Sequence, residues 1–486
     1  TDDLAYATAT ELLEGYRAGT ISPVEATQAA LSQIEKYNGA LNAFVLVDED
    51  YALASARESE ARWQAGTPKG LVDGVPTTIK DILLTKGWPT LRGSMSVDAA
   101  GPWNDDAPSV ARLKEHGAVI LGKTTSPEFG WKGVTDSPRT GITRNPWNTD
   151  MTPGGSSGGA SAACASGMGV LHVGTDGGGS IRIPASFTGI FGIKPSYGRV
   201  PAWPLSPFGT VAHVGPMTRT VTDSALMLRV MSGPDARDWT TLPFVDTDYV
   251  AALSASIKGK RVAYSPTLGY AAVDPEVAAA VKRGAELFAE LGANVEEVDF
   301  LFENPLPIFN VLWWSGARFA LRNLTHFRGR PSILVDLRNL TDKQLNELDP
   351  GLRRVFEGAA SITLTDYLEA VQARGELGNR MKQFHETYDL LLTPSLAIPA
   401  FEVGKLAPTE LEEVGGWVDW TPFSYPFNLT QQPACSIPCG LNSEGLPIGL
   451  QIVGPMQDDA AVLNAAYAFE RVSPVASARP DLTKIV

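Results

Sequence analysis

Cysteine is scarce in this chain. Its three residues, Cys164, Cys435 and Cys439, are too few and too odd in number for a disulfide framework. Cys435 and Cys439 form a C-x3-C pair, but no further Cys or His stands near them in sequence to complete a metal site, so they read as buried thiols and no metal is expected. Positive charge is also short: 40 Lys and Arg against 54 Asp and Glu give a formal net charge of -14. Such a chain repels nucleic acid and anionic lipid surfaces, which argues against both as partners and leaves small neutral substrates open. Long apolar runs are absent; none approaches the roughly 18 residues of a membrane span. The opening TDDLAYATAT lacks the charged and apolar regions of a secretory signal, and its missing Met points to trimming, which leaves an earlier leader open. A cytoplasmic location is the default expectation.

What is present is a globular composition, 44% hydrophobic over 486 residues, with a mean hydropathy of -0.04. Length alone allows about two to three domains, yet large α/β enzymes reach this size with one elaborated core. Ser22, Pro23 and Glu25 in SPVE form a capping box with proline at the first helical position, and Asn38-Gly39 is expected to end that helix. NAFVLV reads as a strand, the charged stretch to Trp63 as a helix, VPTTIKDI as a strand ending near Lys80, SVARLKEHG as a helix and AVILGK as a buried strand. DPEVAAAVKRGAELFAELG is a capped helix between the strands RVAY and NVEEV. This alternation predicts an α/β layer architecture. Residues from about 235 to 380 are more helical and read as an elaboration of one core.

Three motifs invite function and fail on context. GAVILGKT (117–124) fits G-x4-G-K-[ST], but its variable positions are Ala, Val, Ile and Leu, which make a strand, and Pro127 follows too soon for a helix. GGSSG (154–158) fits the nucleophile elbow of α/β-hydrolases, which needs an apolar strand before the serine; NTDMTP is polar and turn-like. That elbow also needs a histidine, and His172, His213, His326 and His385 all stand in uninformative settings, so an esterase of that type is the runner-up. HVGTDGGGS misses the dinucleotide spacing, and no acidic residue follows on a strand.

The constellation that survives is GTDGGGSIRIP (174–184), after the apolar run GVLHV. Gly177, Gly178 and Gly179 can turn their N–H groups in one direction, a nest suited to an oxyanion, with Ser180 at its end as a nucleophile. A tight turn with a buried serine is the plain alternative. A serine needs a base. Lys80 can serve if neutral, which requires lowering its pKa from about 10.4 by roughly two to three units through burial. From local sequence alone, a surface lysine paired with Asp81 is the simpler reading.

The sequence resembles the amidase signature family of serine hydrolases over most of its length. The blocks that carry this are GLVDGVPTTIKDILLTKGWPTLRGS, AVILGKTTSPEFG, TRNPWNTDMTPGGSSGGASAACASG, HVGTDGGGSIRIPASFTGIFGIKPSYGRV, YDLLLTPS and PFNLTQQPACSIPCGLNSEGLPIGLQIVGP. The resemblance implies one large mixed β-sheet covered by helices on both faces, a single domain over residues 1–486, and a Ser–cis-Ser–Lys unit. Ser180 would be the nucleophile, Ser156, preceded by a cis peptide, the bridging serine, and Lys80 the base. Ser157, Asp176 and Arg182 match positions that brace the site. No cofactor is implied. The chain departs from the family pattern T-G-x-P-A at LTQQPA, where Gln431 replaces a glycine on a loop that resembles a pocket wall.

The family spans aryl acylamidases, fatty acid amide hydrolases, peptide amidases, nylon-oligomer hydrolases, carbamate-cleaving relatives and the glutaminase subunit of the tRNA-dependent amidotransferase. Aromatic segments EFGWKG, LWWSGARF and GGWVDWTPFSYPF favour an apolar or aryl substrate if they line the pocket, with Phe129 and Trp131 the chosen wall residues just beyond a strand end. The expected partner is a small-molecule amide or carbamate, and the chain a monomer or homodimer. The amidotransferase glutaminase is the alternative from another class. A non-catalytic scaffold is a third, against which the intact Lys80, Ser156 and Ser180 weigh.

Overall fold

The computed structural model describes residues 2–253, 256–299, 301–322, 342–408 and 416–485. Thirteen strands are described: β1 Phe44–Val47, β2 Pro76–Lys80, β3 Val119–Thr124, β4 Asp136–Ser137, β5 Gly141–Ile142, β6 Leu171–Asp176, β7 Phe191–Lys194, β8 His213–Thr218, β9 Arg261–Tyr264, β10 Asn294–Glu297, β11 Leu390–Pro394, β12 Ala434–Leu441 and β13 Pro447–Val453. Eleven form one sheet in the order β1-β3-β2-β6-β8-β7-β12-β13-β11-β9-β10; β4 and β5 pair separately. The sheet is mixed. β3, β2 and β6 run parallel, as do β11, β9 and β10, whereas β8, β7, β12 and β13 join antiparallel.

Strand side chains alternate between faces, and the cores follow that period. On β9, Val262 and Tyr264 enter one core and Ala263 the other; on β11, Leu390 and Leu392 divide from Leu391 in the same way. The sheet is therefore apolar on both faces, and helices cover both. On one side, Pro275–Glu290 sends Val277, Val281 and Phe288 into the first core; on the other, Leu306–Arg322 sends Phe309 and Trp313 into the second.

The expected elements between residues 22 and 124 form, with one shifted boundary. The SPVE capping box is present, with Pro23 at the first turn, but the helix continues through Asn38-Gly39 to Leu41. Asn38 stays helical because its Oδ1 accepts the N–H groups of Ala43 and Phe44, at 2.8 and 3.0 Å. The left-handed residue that ends the helix is Asn42, at φ 51°. GAVILGKT is strand, as its apolar residues dictate. Lys123 points its amine at Leu83 O (2.9 Å) and Thr90 Oγ1 (2.7 Å), beside Asp81 at 3.3 Å.

Candidate active site

Parallel pairing of β2 with β6, in the register Ile79↔Val173, brings the carboxyl ends of both strands to one edge. Ligand sites in α/β sheets form at such ends. Lys80 closes β2 and Thr175-Asp176 close β6. The chain then turns through Gly177–Gly179 to Ser180 and enters the buried helix Arg182–Thr188. Gly155-Ser156 is a cis peptide, and Ser157 leads into the buried helix Gly158–Ala165. Ser157 N–H donates to Ser180 O at 3.2 Å and fastens the two serine segments together. A β-carbon on Gly155 would stand 2.6 Å from the Val134 carbonyl, so this backbone approach admits no side chain.

Lys80 is fully buried and does not pair with Asp81, whose cationic partner is Lys123. Its Nζ instead meets three hydroxyls: Ser156 Oγ at 2.6 Å, Ser157 Oγ at 2.8 Å and Thr175 Oγ1 at 2.8 Å. A neutral amine has two donors and one lone pair, and three hydroxyls saturate it. Ser157 O–H donates to Thr175 O at 3.1 Å, so toward Lys80 it only accepts. A second donated bond can go to Thr175, which leaves Ser156 to give its proton to the lone pair. Burial drives the Lys80 pKa well below its ordinary 10.5, against the opposing charge of Asp176.

Asp176 and Arg182 form a fully buried pair that shapes the Ser180 turn. Asp176 Oδ1 accepts from Gly179 N–H (2.9 Å), Arg182 Nη2 (3.0 Å) and Asn428 Nδ2 (2.8 Å). Its Oδ2 accepts from Ile181 N–H (3.2 Å) and Arg182 Nε (3.0 Å). Although burial opposes it, the Arg182 charge and these bonds hold the Asp176 carboxyl well below the usual range. Arg182 also donates to Ser424 O and Gln451 Oε1. The glycine nest is consequently narrower than expected. Gly179 N–H is spent on Asp176, which removes it as an oxyanion donor; Gly177 and Gly178 N–H carry no such bond among the described residues.

Ser156, Ser180 and Gly177 line one cavity of about 290 Å³, with Thr175, Phe129, Trp313 and the segment from Ser196 to Val214. Phe129 lines this cavity. It is held at φ 52° by its N–H bond to Arg92 O, and the next residue, Gly130, is so close that a β-carbon there would lie 3.2 Å from Ser156 Oγ. Trp131 is not a wall residue. It turns into the core, 1% exposed, and its carbonyl accepts from Trp313 Nε1 at 2.9 Å, so it supports the indole that does face the cavity. Gln431 also stands behind the wall. Its Nε2 donates to Thr210 O, and its φ of 63° explains why a glycine suits that position.

Among the described residues no histidine bonds Ser156 or Ser180. His172 bonds Thr78, His213 bonds Val211 O, and His385 meets Tyr388 O and Gln432. His326 lies outside the described residues. Two features escaped the sequence reading. Thr175 carried a signal in GTDGGGS, as a hydroxyl one residue before the buried aspartate. The Ser196–Val214 wall carried one in its Pro- and aromatic-rich stretch YGRVPAWPLSPF.

A mixed sheet that brings two serine hydroxyls to one cavity, with a buried amine bonded to one of them, defines a class of α/β protein. The chain belongs to the amidase family, whose model, described as Amidase, matches residues 25–463. It is 38% identical over 489 residues to an acylamidase of Rhodococcus erythropolis, covering 100% of this chain and 99% of that one. It is 36% identical to a glutamyl-tRNA(Gln) amidotransferase subunit of Moorella thermoacetica, covering 99% of each. The solved structure of a bacterial aryl acylamidase of the amidase signature family superposes with a TM-score of 0.88 at 32% identity, covering 98% of this chain and 99% of that one.

Proposed function

We propose that this protein hydrolyses the carbon–nitrogen bond of linear amides with a hydrophobic or aryl group, through an acyl-enzyme on Ser180. Carbamates and esters are open to the same chemistry. The observation that carries the reading is the buried Lys80 amine, 2.6 Å from the Oγ of Ser156, which lines one cavity together with Ser180. Neutral Lys80 takes the Ser156 proton as Ser156 takes that of Ser180, and Ser180 Oγ bonds to the substrate carbonyl carbon. The carbonyl oxygen gains the negative charge and is met by Gly177 and Gly178 N–H. When the carbon–nitrogen bond breaks, Ser156 returns a proton to the leaving nitrogen and is reprotonated from Lys80. Water then attacks the ester carbonyl through the same relay and frees the acid and Ser180. Ser157, Asp176 and Arg182 position these groups.

The chain reads as one domain over residues 1–486. In support, β9 and β10, which fall in the more helical span from about 235 to 380, join the main sheet. Among the described residues no helix is long and apolar enough to cross a membrane. We infer a cytoplasmic monomer or homodimer that acts on a small molecule. The alternative, the glutaminase of an amidotransferase, is supported by the likeness to proteins of that kind. An aromatic wall that includes Phe129, Phe208 and Trp313 suits glutamine less well. Turnover of a matched aryl amide, carbamate and ester by the purified chain alone separates these readings. Amide or carbamate cleavage at rates comparable with the ester is expected, with a loss of at least about 10³-fold in Ser180→Ala at unchanged circular dichroism. Cleavage of ester only, or wild-type rates in the variant, overturns the reading.

A further inference from the structure

We propose that Trp239 is a specificity-determining residue, one that receives a large apolar group extending beyond the scissile bond of the substrate; this rests on the amide-hydrolase reading above. Trp239 is 83% exposed, the most exposed large hydrophobic side chain among the described residues, yet it lines the same cavity as Ser156 and Ser180. Leu205, 49% exposed, and Trp203 stand on the same wall, so the cavity opens onto an apolar rim. Exposed apolar surface continuous with a binding cavity marks a place where an apolar ligand is covered.

The loop that presents this indole is pinned. The Asp238 carboxylate accepts from Ala202 N–H at 2.8 Å, Thr240 N–H at 2.8 Å and Thr240 Oγ1 at 2.7 Å. Leu242 N–H donates to Gly198 O at 2.9 Å, and Thr240 Oγ1 meets Tyr197 OH at 3.1 Å. The guanidinium of Arg237 lies 4.7 Å from the Trp203 ring centroid and also donates to Asp106 O. Backbone order on both sides of an exposed Trp is preorganisation; the ordering cost of binding is met before the ligand arrives. Size points the same way. A cavity of about 290 Å³ sits at the lower edge of the roughly 300–1,000 Å³ typical of sites for drug-sized ligands. A bulky or long-chain amide would fill it and continue to the rim, whereas a small amide would end short of Trp239.

Two substrate series test this on the intact chain: p-nitroanilides of increasing acyl length, and acetyl amides of increasingly large arylamines. In Trp239→Ala, the kcat/KM ratio of the largest to the smallest member should fall about tenfold in at least one series, through KM rather than kcat. Trp239→Phe should restore most of it. The series that responds identifies the side of the scissile bond that reaches the rim. An unchanged ratio in both series, or equal losses for large and small members, overturns the proposal and leaves the amide-hydrolase reading standing. A fall in sedimentation mass without a change in the ratio also overturns it, and assigns Trp239 to contact with a second copy of the chain. If the wild-type protein cleaves no member of either series, both readings fall.

Discussion

Lys80 is poised between two opposing effects. Removal from water disfavours its ammonium form, and the Asp176 charge favours it; burial is the larger, and the pKa lies well below the ordinary 10.5. Only the neutral amine can accept a proton, so kcat/KM should rise with pH and level off above the Lys80 pKa, with the midpoint well below that of an exposed lysine. The sign for stability agrees. Between its lowered folded pKa and its unfolded value of about 10.4, Lys80 binds more protons unfolded than folded, so its contribution to stability grows as pH rises through that window. A pH–rate profile on protein shown to be folded checks the first statement. A limb at the ordinary lysine value, or a steady fall from about pH 7 to 9, would remove Lys80 as the base. Ser180 and its glycine turn stood out in GTDGGGSIRIP itself, whereas Lys80 and Ser156 became candidates only through the likeness of whole motif blocks, because locally Lys80 looked like a partner of Asp81. Trp131 and Gln431 were misjudged because sequence shows that a residue flanks a site but not which way it turns. Trp131 turned into the core beneath Trp313, and Gln431 stood behind Thr210.

Between β6 and the helix Arg182–Thr188, the serine turn owes its shape to one ion pair. Both side chains of Asp176–Arg182 are wholly buried, and the carboxylate also satisfies two backbone N–H groups of the turn. Asp176→Asn would leave a buried guanidinium without its counter-charge, at a cost of about 3–5 kcal/mol, far above the value of a surface pair. Urea denaturation should therefore show a large fall in midpoint; a change below about 1 kcal/mol would mean that Asn428 and Gln451 compensate Arg182 by themselves. Elements were the most readable level of this chain. Alternating apolar runs and helix caps foretold β1, β2, β3, β9 and β10 and the helices Pro23–Leu41, Glu49–Gln64, Pro108–Glu115 and Pro275–Glu290, since those signals are local. The end of Pro23–Leu41 moved because Asn38 capped the following backbone from inside the helix, and a dipeptide pattern does not reveal that choice. The Ser196–Val214 wall became visible only once Phe208 was seen stacked on Trp313, with ring centroids 4.0 Å apart, more than a hundred positions along the chain.

At the scale of the whole molecule, the eleven-stranded sheet with a core on each face encloses its thiols as completely as it encloses Lys80 and Lys123. Cys164 lies in the buried helix Gly158–Ala165, and Cys435 and Cys439 lie on β12 against the first core. Burial raises all three, Cys164 and Cys439 to about 12. At pH 8 a thiol with a pKa near 12 is thiolate in only about one molecule in ten thousand, and the thiolate is the form that reacts. Reagents should then reach these groups only when the sheet opens, and a core shared across strands opens as a unit. Native protein treated with iodoacetamide should take up almost no label, and protein in denaturing urea three equivalents. Under partly denaturing conditions, intact-mass spectra should show unlabelled and triply labelled chains with little between. Rapid single labelling of the native protein would show instead that one edge, at the Gly158–Ala165 helix or at β12, opens independently. A Gly158–Ala165 opening would be the more consequential, because that helix begins beside Ser156 and Ser157, and a site so mounted could not keep Lys80 dry.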